Sequence, residues 1–530
     1  MELVENDLLL EGRAGSTPRA PDEAAHPIRH GAVPLRSLWF AMHADPVATL
    51  RSAFGYPRFR PGQEELVRAV LEGRDALGVL PTGGGKSVCY QVPALMLDGT
   101  VLVVTPLVSL MQDQIRRARA IGLGAECLSG TQTASERQRV IERLRAGRVS
   151  LLLVSPERLE IAGFRSLLDA VRVSLVAVDE AHCISEWGHD FRPAYRRIGR
   201  LLTLEAPVLA LTASATPAVR ADIVESLGLV DPLRVVRSFD RPNLRWVVER
   251  RGPGDDRISA VRRALMGGEG AGIVYAPTRR AAEILRDGLA ARGHSCDVYH
   301  AGLTGAERSS VQERFLNRDV RVVVATNAFG MGIDKADVRA VIHLQLPGTL
   351  ESYYQEAGRA GRDGEPSICV AFHNRSDRRL ANRFIARTHP RRSVLVRLWR
   401  ALRGASLMGE VADIDHPKVV RALSEPARTW AEGDPVGALG ALERIGAICR
   451  VESVTGRTER VLVRSEPDWT AAAGLRRRAM DKVADVERYA RERRCRRNAL
   501  LRYFGEKRVD RCGQCDRCGW RMADSRERRP

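Results

Sequence analysis

The feature that most constrains the fold is a rhythm of short apolar, β-favouring runs alternating with helical patterns, and it occurs twice. The first set of runs is Ala76–Leu80, Val101–Thr105, Leu151–Ser155, Leu175–Asp179 and Val208–Thr212. The second is Gly272–Tyr275, Asp297–His300, Val322–Thr326, Val341–Leu344 and Ile368–Phe372. Near-continuous apolar runs separated by helices specify a parallel sheet covered on both faces. The expected fold class is therefore α/β, with two tandem parallel-sheet lobes over 46–240 and 241–375. They join at Asp240-Arg241-Pro242-Asn243, a turn signal. Residues 1–45 lack periodicity and read as a weakly ordered leader.

After Phe372 the alternation stops. Residues 376–475 carry helical stretches (Ser393–Leu402, Val436–Gly446) and then two β-like runs, Ala447–Val451 and Arg460–Val463. This order fits a winged helix with Leu439–Gly446 as its recognition helix, and equally a helical linker bearing a surface hairpin. Residues 476–530 hold 19 basic and nine acidic side chains around four cysteines. They divide into a small helical module, 476–522, and a basic tail, 523–530.

Charge narrows the partners. The net charge is +19, which excludes an acidic disordered chain and points to a polyanionic partner or a charged membrane surface. Apolar stretches such as Val101–Leu110 fall short of the ~20 residues that span a bilayer. Acids at Glu2 and Glu5 argue against a signal peptide. A cytoplasmic protein without a membrane partner is expected.

Leu80-Pro81-Thr82-Gly83-Gly84-Gly85-Lys86-Ser87 lies between a strand and a helix. Its glycines let backbone N–H groups turn inward around β and γ phosphates, with Lys86 on the phosphate oxygens and Ser87 on Mg²⁺. Thr82, Gly83, Gly84 and Gly85 complete the cradle. The bland alternative is a glycine turn, but one of only five lysines falls at the phosphate position. Asp179 and Glu180 follow an apolar strand, at the sheet edge where open α/β folds bind ligands. Asp179 suits Mg²⁺ and Glu180 suits orienting and deprotonating a water.

These stretches, in order, resemble the RecQ family of DNA helicases within helicase superfamily two. The resemblance runs from Phe54 to Phe372 and resumes at Cys495–Cys518, and it implies two RecA-like lobes. Phe54–Gln63 resembles the family's adenine-binding element, which assigns Tyr56, Arg60 and Gln63. Leu211–Thr216 resembles the motif linking the ATP site to DNA, which includes Ser214. Asp179–Pro193 resembles the aromatic-rich loop, with Trp187, His189, Phe191 and Arg192 as DNA-contacting or coupling residues. A base stacking there gains ~1–3 kcal/mol, comparable with the ~0.6–2.2 kcal/mol of opening one base-pair step. A buried Trp/Phe cluster is the competing reading. Gln355–Gly364 implies Arg362 as an arginine finger, with Arg359 a second contact to phosphate or to Glu180.

Cys495, Cys512, Cys515 and Cys518 offer four thiolates, enough for a closed Zn²⁺ site. Disulfides or an iron–sulfur cluster are the alternatives. Residues 495–506 resemble the family's zinc-binding segment. Many relatives place that segment directly after the second lobe and a winged helix after it. In this chain about a hundred residues intervene before Cys495. The resemblance implies an ATP-, Mg²⁺- and Zn²⁺-using helicase moving 3′ to 5′ on single-stranded and forked duplex DNA. It also implies a place in repair or recombination, associated with the nucleoid. An RNA-dependent helicase, or an annealing scaffold without unwinding, are the alternatives.

Overall fold

The computed structural model describes residues 45–519, except 107, 131, 189, 203, 253, 267–269, 331–334, 375, 407–410, 425–434, 452–459, 464–466 and 508–510. The expected leader therefore lies outside the described residues, apart from Asp45, which caps the first helix (Pro46–Phe54). The basic tail and the segment between the two β-like runs, 452–459, lie outside them as well.

The first lobe is a seven-stranded, all-parallel sheet of β1 (Ala76–Val79), β2 (Thr100–Val104), β3 (Ala125–Leu128), β4 (Leu151–Val154), β5 (Val173–Val178), β6 (Val208–Thr212) and β7 (Leu233–Val236). Its strand order is β3-β4-β2-β5-β6-β1-β7. Residues of β1, β2, β4 and β6 are buried throughout, as a sheet covered on both faces requires. Three helices of this lobe matter below: α1 (Gln63–Leu71), α2 (Val88–Met96) and α3 (Pro217–Leu227).

The second lobe repeats the plan with six parallel strands, β8 (Leu244–Arg250), β9 (Ala271–Tyr275), β10 (Cys296–Tyr299), β11 (Val322–Ala325), β12 (Val338–His343) and β13 (Ser367–His373). Their order is β10-β11-β9-β12-β13-β8. Helix α4 (Leu350–Ala357) leads from this sheet toward the cleft between the lobes.

Beyond β13 come α5 (Asp377–Thr388), α6 (Arg392–Ala405), β14 (Val411–Asp413), α7 (Pro417–Ser424), α8 (Pro435–Arg444), β15 (Ile448–Val451) and β16 (Arg460–Val463). The last three strands form an antiparallel sheet in the order β14-β16-β15. From α6 onward the succession helix, strand, helix, helix, strand, strand is that of a winged helix. The helix in the recognition position, α8, packs its apolar side inward. Among residues 437–445 none is exposed, because Ala438, Leu439, Ala441 and Leu442 sit in the core formed with α6 and the small sheet. Arg444 closes the helix by donating to the Thr388 carbonyl at the end of α5. The apolar side of this helix is therefore taken up by the core of its own region.

The chain ends in a 22-residue helix, α9 (Trp469–Ala490), and a short one, α10 (Arg496–Tyr503). The boundary drawn at 476 falls inside α9, because composition changes there while the helix continues. Its N-cap, Asp468, accepts from Thr470 N–H at 2.8 Å. No helix among the described residues is long and apolar enough to cross a membrane.

Candidate active site between the two lobes

The phosphate loop leaves β1 and enters α2. Gly83 and Gly85 have φ of 79° and 69°, in the left-handed region. A Cβ on Gly85 would sit 2.7 Å from Gln63 Nε2, and one on Gly84 2.8 Å from the Pro81 carbonyl oxygen. The loop is thus a cradle that side chains would fill. Thr82 Oγ1 is buried and has no hydrogen-bond partner. An unpartnered donor beside upturned backbone is the environment a polyphosphate satisfies, so the residues fit a nucleotide.

The adenine-element residues surround this loop. Gln63, at the start of α1, is buried and donates from Nε2 to the Gly84 and Gly85 carbonyls at 2.9 Å each, while its Oε1 accepts from Arg60 N–H at 2.8 Å. Its amide therefore shapes the phosphate loop, a role the sequence reading did not assign. Arg60 donates to the Gly83 carbonyl, and Tyr56 is exposed, with its ring 6.1 Å from that of Phe54.

Opposite the loop, Lys86 Nζ lies 3.7 Å from Glu180 Oε1. Glu180 is a non-glycine residue at φ 48°, a strained conformation that costs on the order of 1–3 kcal/mol. Asp179 is buried, and its carbonyl accepts from Tyr195 Oη at 3.0 Å. Burial, then the neighbouring Glu180 charge, push the Asp179 carboxyl up to about 6. Ser87 and Asp179 are the residues that would hold a magnesium ion. His182 ties this corner to the next motif. Its Nδ1 is 3.3 Å from Glu180 Oε2 and 3.0 Å from Thr212 Oγ1, which in turn accepts from the buried Ser214 N–H at 3.3 Å. His182 and Thr212 were not singled out from sequence, since neither is distinctive until the strands are side by side.

The second lobe closes the site. A Cβ on Gly83 would lie 3.5 Å from Arg362 Cδ, and one on Gly358 3.6 Å from Thr82 Cβ. Arg362 thus reaches the phosphate loop of the other lobe. Arg359 does not turn to Glu180; it is buried and donates to the Gly330 carbonyl within its own lobe.

The aromatic-rich loop is anchored in the core by Ala181, Cys183 and Ile184, and its tip turns outward. Trp187 is 51% exposed, which sets aside the buried-cluster reading. The guanidinium of Arg478, on α9, sits 5.2 Å from the Trp187 ring centroid and pairs with Glu186, while Lys482 donates to the Gly188 carbonyl. Arg192 pairs with Asp190 at 3.2 Å and donates to the Pro106 carbonyl at 3.0 Å. Phe191 lines a cavity of about 550 Å³ with Leu475, Ala479 and Val483 of α9. His189 lies outside the described residues.

At the C-terminus the Sγ atoms of Cys495, Cys512, Cys515 and Cys518 lie within 4.8 Å of one another. Tetrahedral Zn–S bonds of ~2.3 Å need sulfurs about 3.8 Å apart, so the set fits zinc. Cys515 Sγ accepts from Arg496 N–H and Cys512 Sγ from Gln514 N–H, both at 3.4 Å, contacts that favour thiolates.

A phosphate loop in one parallel-sheet lobe, faced by an arginine from a second such lobe, is the two-lobed P-loop architecture of helicases. Comparisons agree. The chain matches the DEAD/DEAH box helicase family over 60–223, the helicase conserved C-terminal domain over 256–364 and the RecQ zinc-binding family over 457–519. It is 43% identical over 341 residues to the probable ATP-dependent DNA helicase RecS of Bacillus subtilis, covering 64% of this chain and 68% of that one. It is 47% identical over 332 residues to the ATP-dependent DNA helicase RecQ of Pasteurella multocida, covering 62% and 52%. The match thus spans about half the length of that relative. In fold it resembles the DUF1998 helicase MrfA bound to DNA, with a TM-score of 0.54, 18% identity and coverage of 82% and 60%. It also resembles the Mycobacterium smegmatis helicase Lhr bound to ssDNA and AMP-PNP, with a TM-score of 0.51, 23% identity and coverage of 82% and 62%. The chain belongs to the RecQ family.

Proposed function

We propose that this chain is an ATP-dependent DNA helicase that translocates 3′ to 5′ along single-stranded DNA and unwinds forked duplexes, in repair or recombination at the nucleoid. The observation that carries the reading is Arg362 lying against Gly83, because it makes one nucleotide site out of two lobes. Lys86 and Arg362 approach the polyphosphate from opposite lobes and favour a closed cleft. Magnesium, held by Ser87 and Asp179, would neutralise phosphate charge. Glu180 accepts the proton of the attacking water, and Arg362 neutralises charge on the γ-phosphoryl oxygens. Loss of the bridging charge lets the cleft relax, and alternating grip converts the cycle into steps.

The path from His182 through Thr212 to Ser214 joins the base to the strand-facing motif, and Trp187 presents a stacking surface for a base. The test is unwinding of fluorescent forks bearing either a 3′ or a 5′ single-stranded tail, with and without ATP and Mg²⁺. ATP-dependent opening of the 3′-tailed substrate supports the reading. Opening of the 5′-tailed substrate alone overturns the polarity, and DNA binding without any unwinding favours a scaffold.

A further inference from the structure

The linker between the lobes is not a free hinge. The Glu506 carboxylate accepts from Ser238 Oγ at 2.7 Å and from the Phe239 N–H at 2.5 Å. Arg497 of α10 places Nε and Nη2 on the two carboxylate oxygens of Asp240. Phe504 stacks on Phe239 with centroids 4.2 Å apart and planes 7° from parallel. The same C-terminal corner touches both lobes. The Phe504 carbonyl accepts from Arg220 Nη2 of α3 at 2.9 Å, and the Phe504 ring lies 4.9 Å from that of Tyr354 of α4, whose Oη donates to the Phe239 carbonyl at 2.6 Å. Gly505 has φ +86°, and a Cβ there would sit 2.7 Å from Pro217 Cγ, so only glycine lets the corner approach α3 so closely.

One residue past Asp240 the linker turns to the finger segment. Arg241 donates from Nη2 to the Ala360 and Gly361 carbonyls at 2.9 Å each, and from Nη1 to the Gly358 carbonyl at 3.2 Å. Asn243 Nδ2 donates to the Gly361 carbonyl at 2.8 Å. These carbonyls belong to the turn that bears Arg359 and Arg362. The other end of the assembly is stapled by the cysteine cluster. Cys495 precedes α10, and the buried Arg496 pairs with Asp516 at 3.0 Å.

We propose that Arg497, Phe504 and Glu506 of the zinc-binding module, acting through the linker residue Arg241, are positioning residues for Arg362 in ATP turnover. Resting on the finger assignment above, this gives the module a task in ATP turnover besides holding its metal. A finger must be placed to within a fraction of an ångström, and a displacement of 1 Å costs up to about a hundredfold in rate. A linker forked by Arg497 and capped by Glu506 fixes one anchor of the turn, and Arg241 transmits that anchor to its backbone.

The experiment measures steady-state ATP turnover at saturating single-stranded DNA for full-length Arg497→Ala, Arg362→Ala and the double variant, with zinc content read by a chromophoric chelator. Arg497→Ala is expected to lower kcat by about ten- to a hundredfold while KM for ATP and bound zinc stay unchanged. In the Arg362→Ala background the same change is expected to add nothing, since its route to the site is already cut. Unchanged kcat in Arg497→Ala, or an equal further loss in the double variant, overturns the relay. Arg241→Lys keeps the charge but loses the fork, and it is expected to repeat the kcat loss; if Arg497→Ala fails to fold, this variant carries the test and wild-type kcat overturns the relay. Wild-type turnover in Arg362→Ala overturns the finger assignment beneath it, which distinguishes the two failures.

Discussion

Arg362 of the second lobe lies against Gly83 of the first, 3.5 Å from where that glycine's Cβ would be. The contact joins segments almost 280 residues apart and makes the cleft a single site. Arg362→Ala is expected to lower DNA-stimulated kcat by about 10³-fold or more, with a much smaller change in nucleotide affinity. Steady-state ATPase assays paired with binding of a fluorescent ATP analogue separate the two effects.

Lys86 and Glu180 face each other across the phosphate loop at 3.7 Å. Lys86→Ala is expected to remove hydrolysis while DNA binding persists; Glu180→Gln is expected to bind nucleotide and fail to turn it over. Single-turnover kinetics with prebound ATP reveal the difference. Ordinary turnover in either variant contradicts the roles given to these side chains.

Trp187 offers half its surface to solvent, under the Arg478 guanidinium. Trp187→Ala is expected to weaken single-stranded DNA binding by about 1–3 kcal/mol, roughly fivefold to a hundred-and-fiftyfold. Fluorescence anisotropy at fixed salt is the measurement, because affinity for a phosphate backbone varies steeply with ionic strength.

The cysteine cluster is expected to hold about one zinc per chain. Cys515→Ser is expected to lose the ion and, with it, the order of the C-terminal corner, because structural zinc supplies folding free energy directly. Metal analysis and thermal melting report the two consequences. A variant that keeps its zinc and its melting point would remove Cys515 from the ligand set.

His389 supplies a pH dependence. Burial, followed by the charges of Arg444, Arg476, Lys482 and Arg478, lowers its pKa to about 4. Between about 4 and the unfolded value near 6.5 the unfolded chain binds a proton that the folded chain refuses. Its contribution to stability is therefore full above about 6.5 and is lost as pH falls toward 4. A melting temperature that drops by about 2 °C from pH 7 to pH 5 through this group is expected, and His389→Gln is expected to remove that part of the drop. Equal slopes in the two proteins count against the assignment.

Much of the architecture was legible because central parallel strands are buried on both faces and leave apolar runs in the sequence. The strands not foreseen, β3, β7 and β8, all lie at sheet edges, where one side lacks a neighbouring strand and the apolar pattern is weaker or shorter. β14, three residues long, was missed for its brevity. In the site, glycines at positive φ and paired acids after a strand carry their chemistry in local spacing. Gln63, His182 and Arg241 do not, because their partners are carbonyls and hydroxyls supplied by segments distant in the chain.

The amino-acid sequence by itself determined two parallel-sheet lobes, the phosphate loop with Lys86, the acids at the end of β5, the finger segment and the four thiols. The lobes follow from periodicity, the phosphate loop and the acids from residues only a few positions apart, the thiols from their count near the C-terminus, and the finger segment from its resemblance to the family's motif. The tertiary structure alone decided that α8 is covered, that Arg359 faces Gly330 rather than Glu180, and that the zinc-binding corner grips Ser238–Asp240. Such contacts depend on how separately folded elements pack, and packing is set by shape and burial summed over the whole chain rather than by any local pattern.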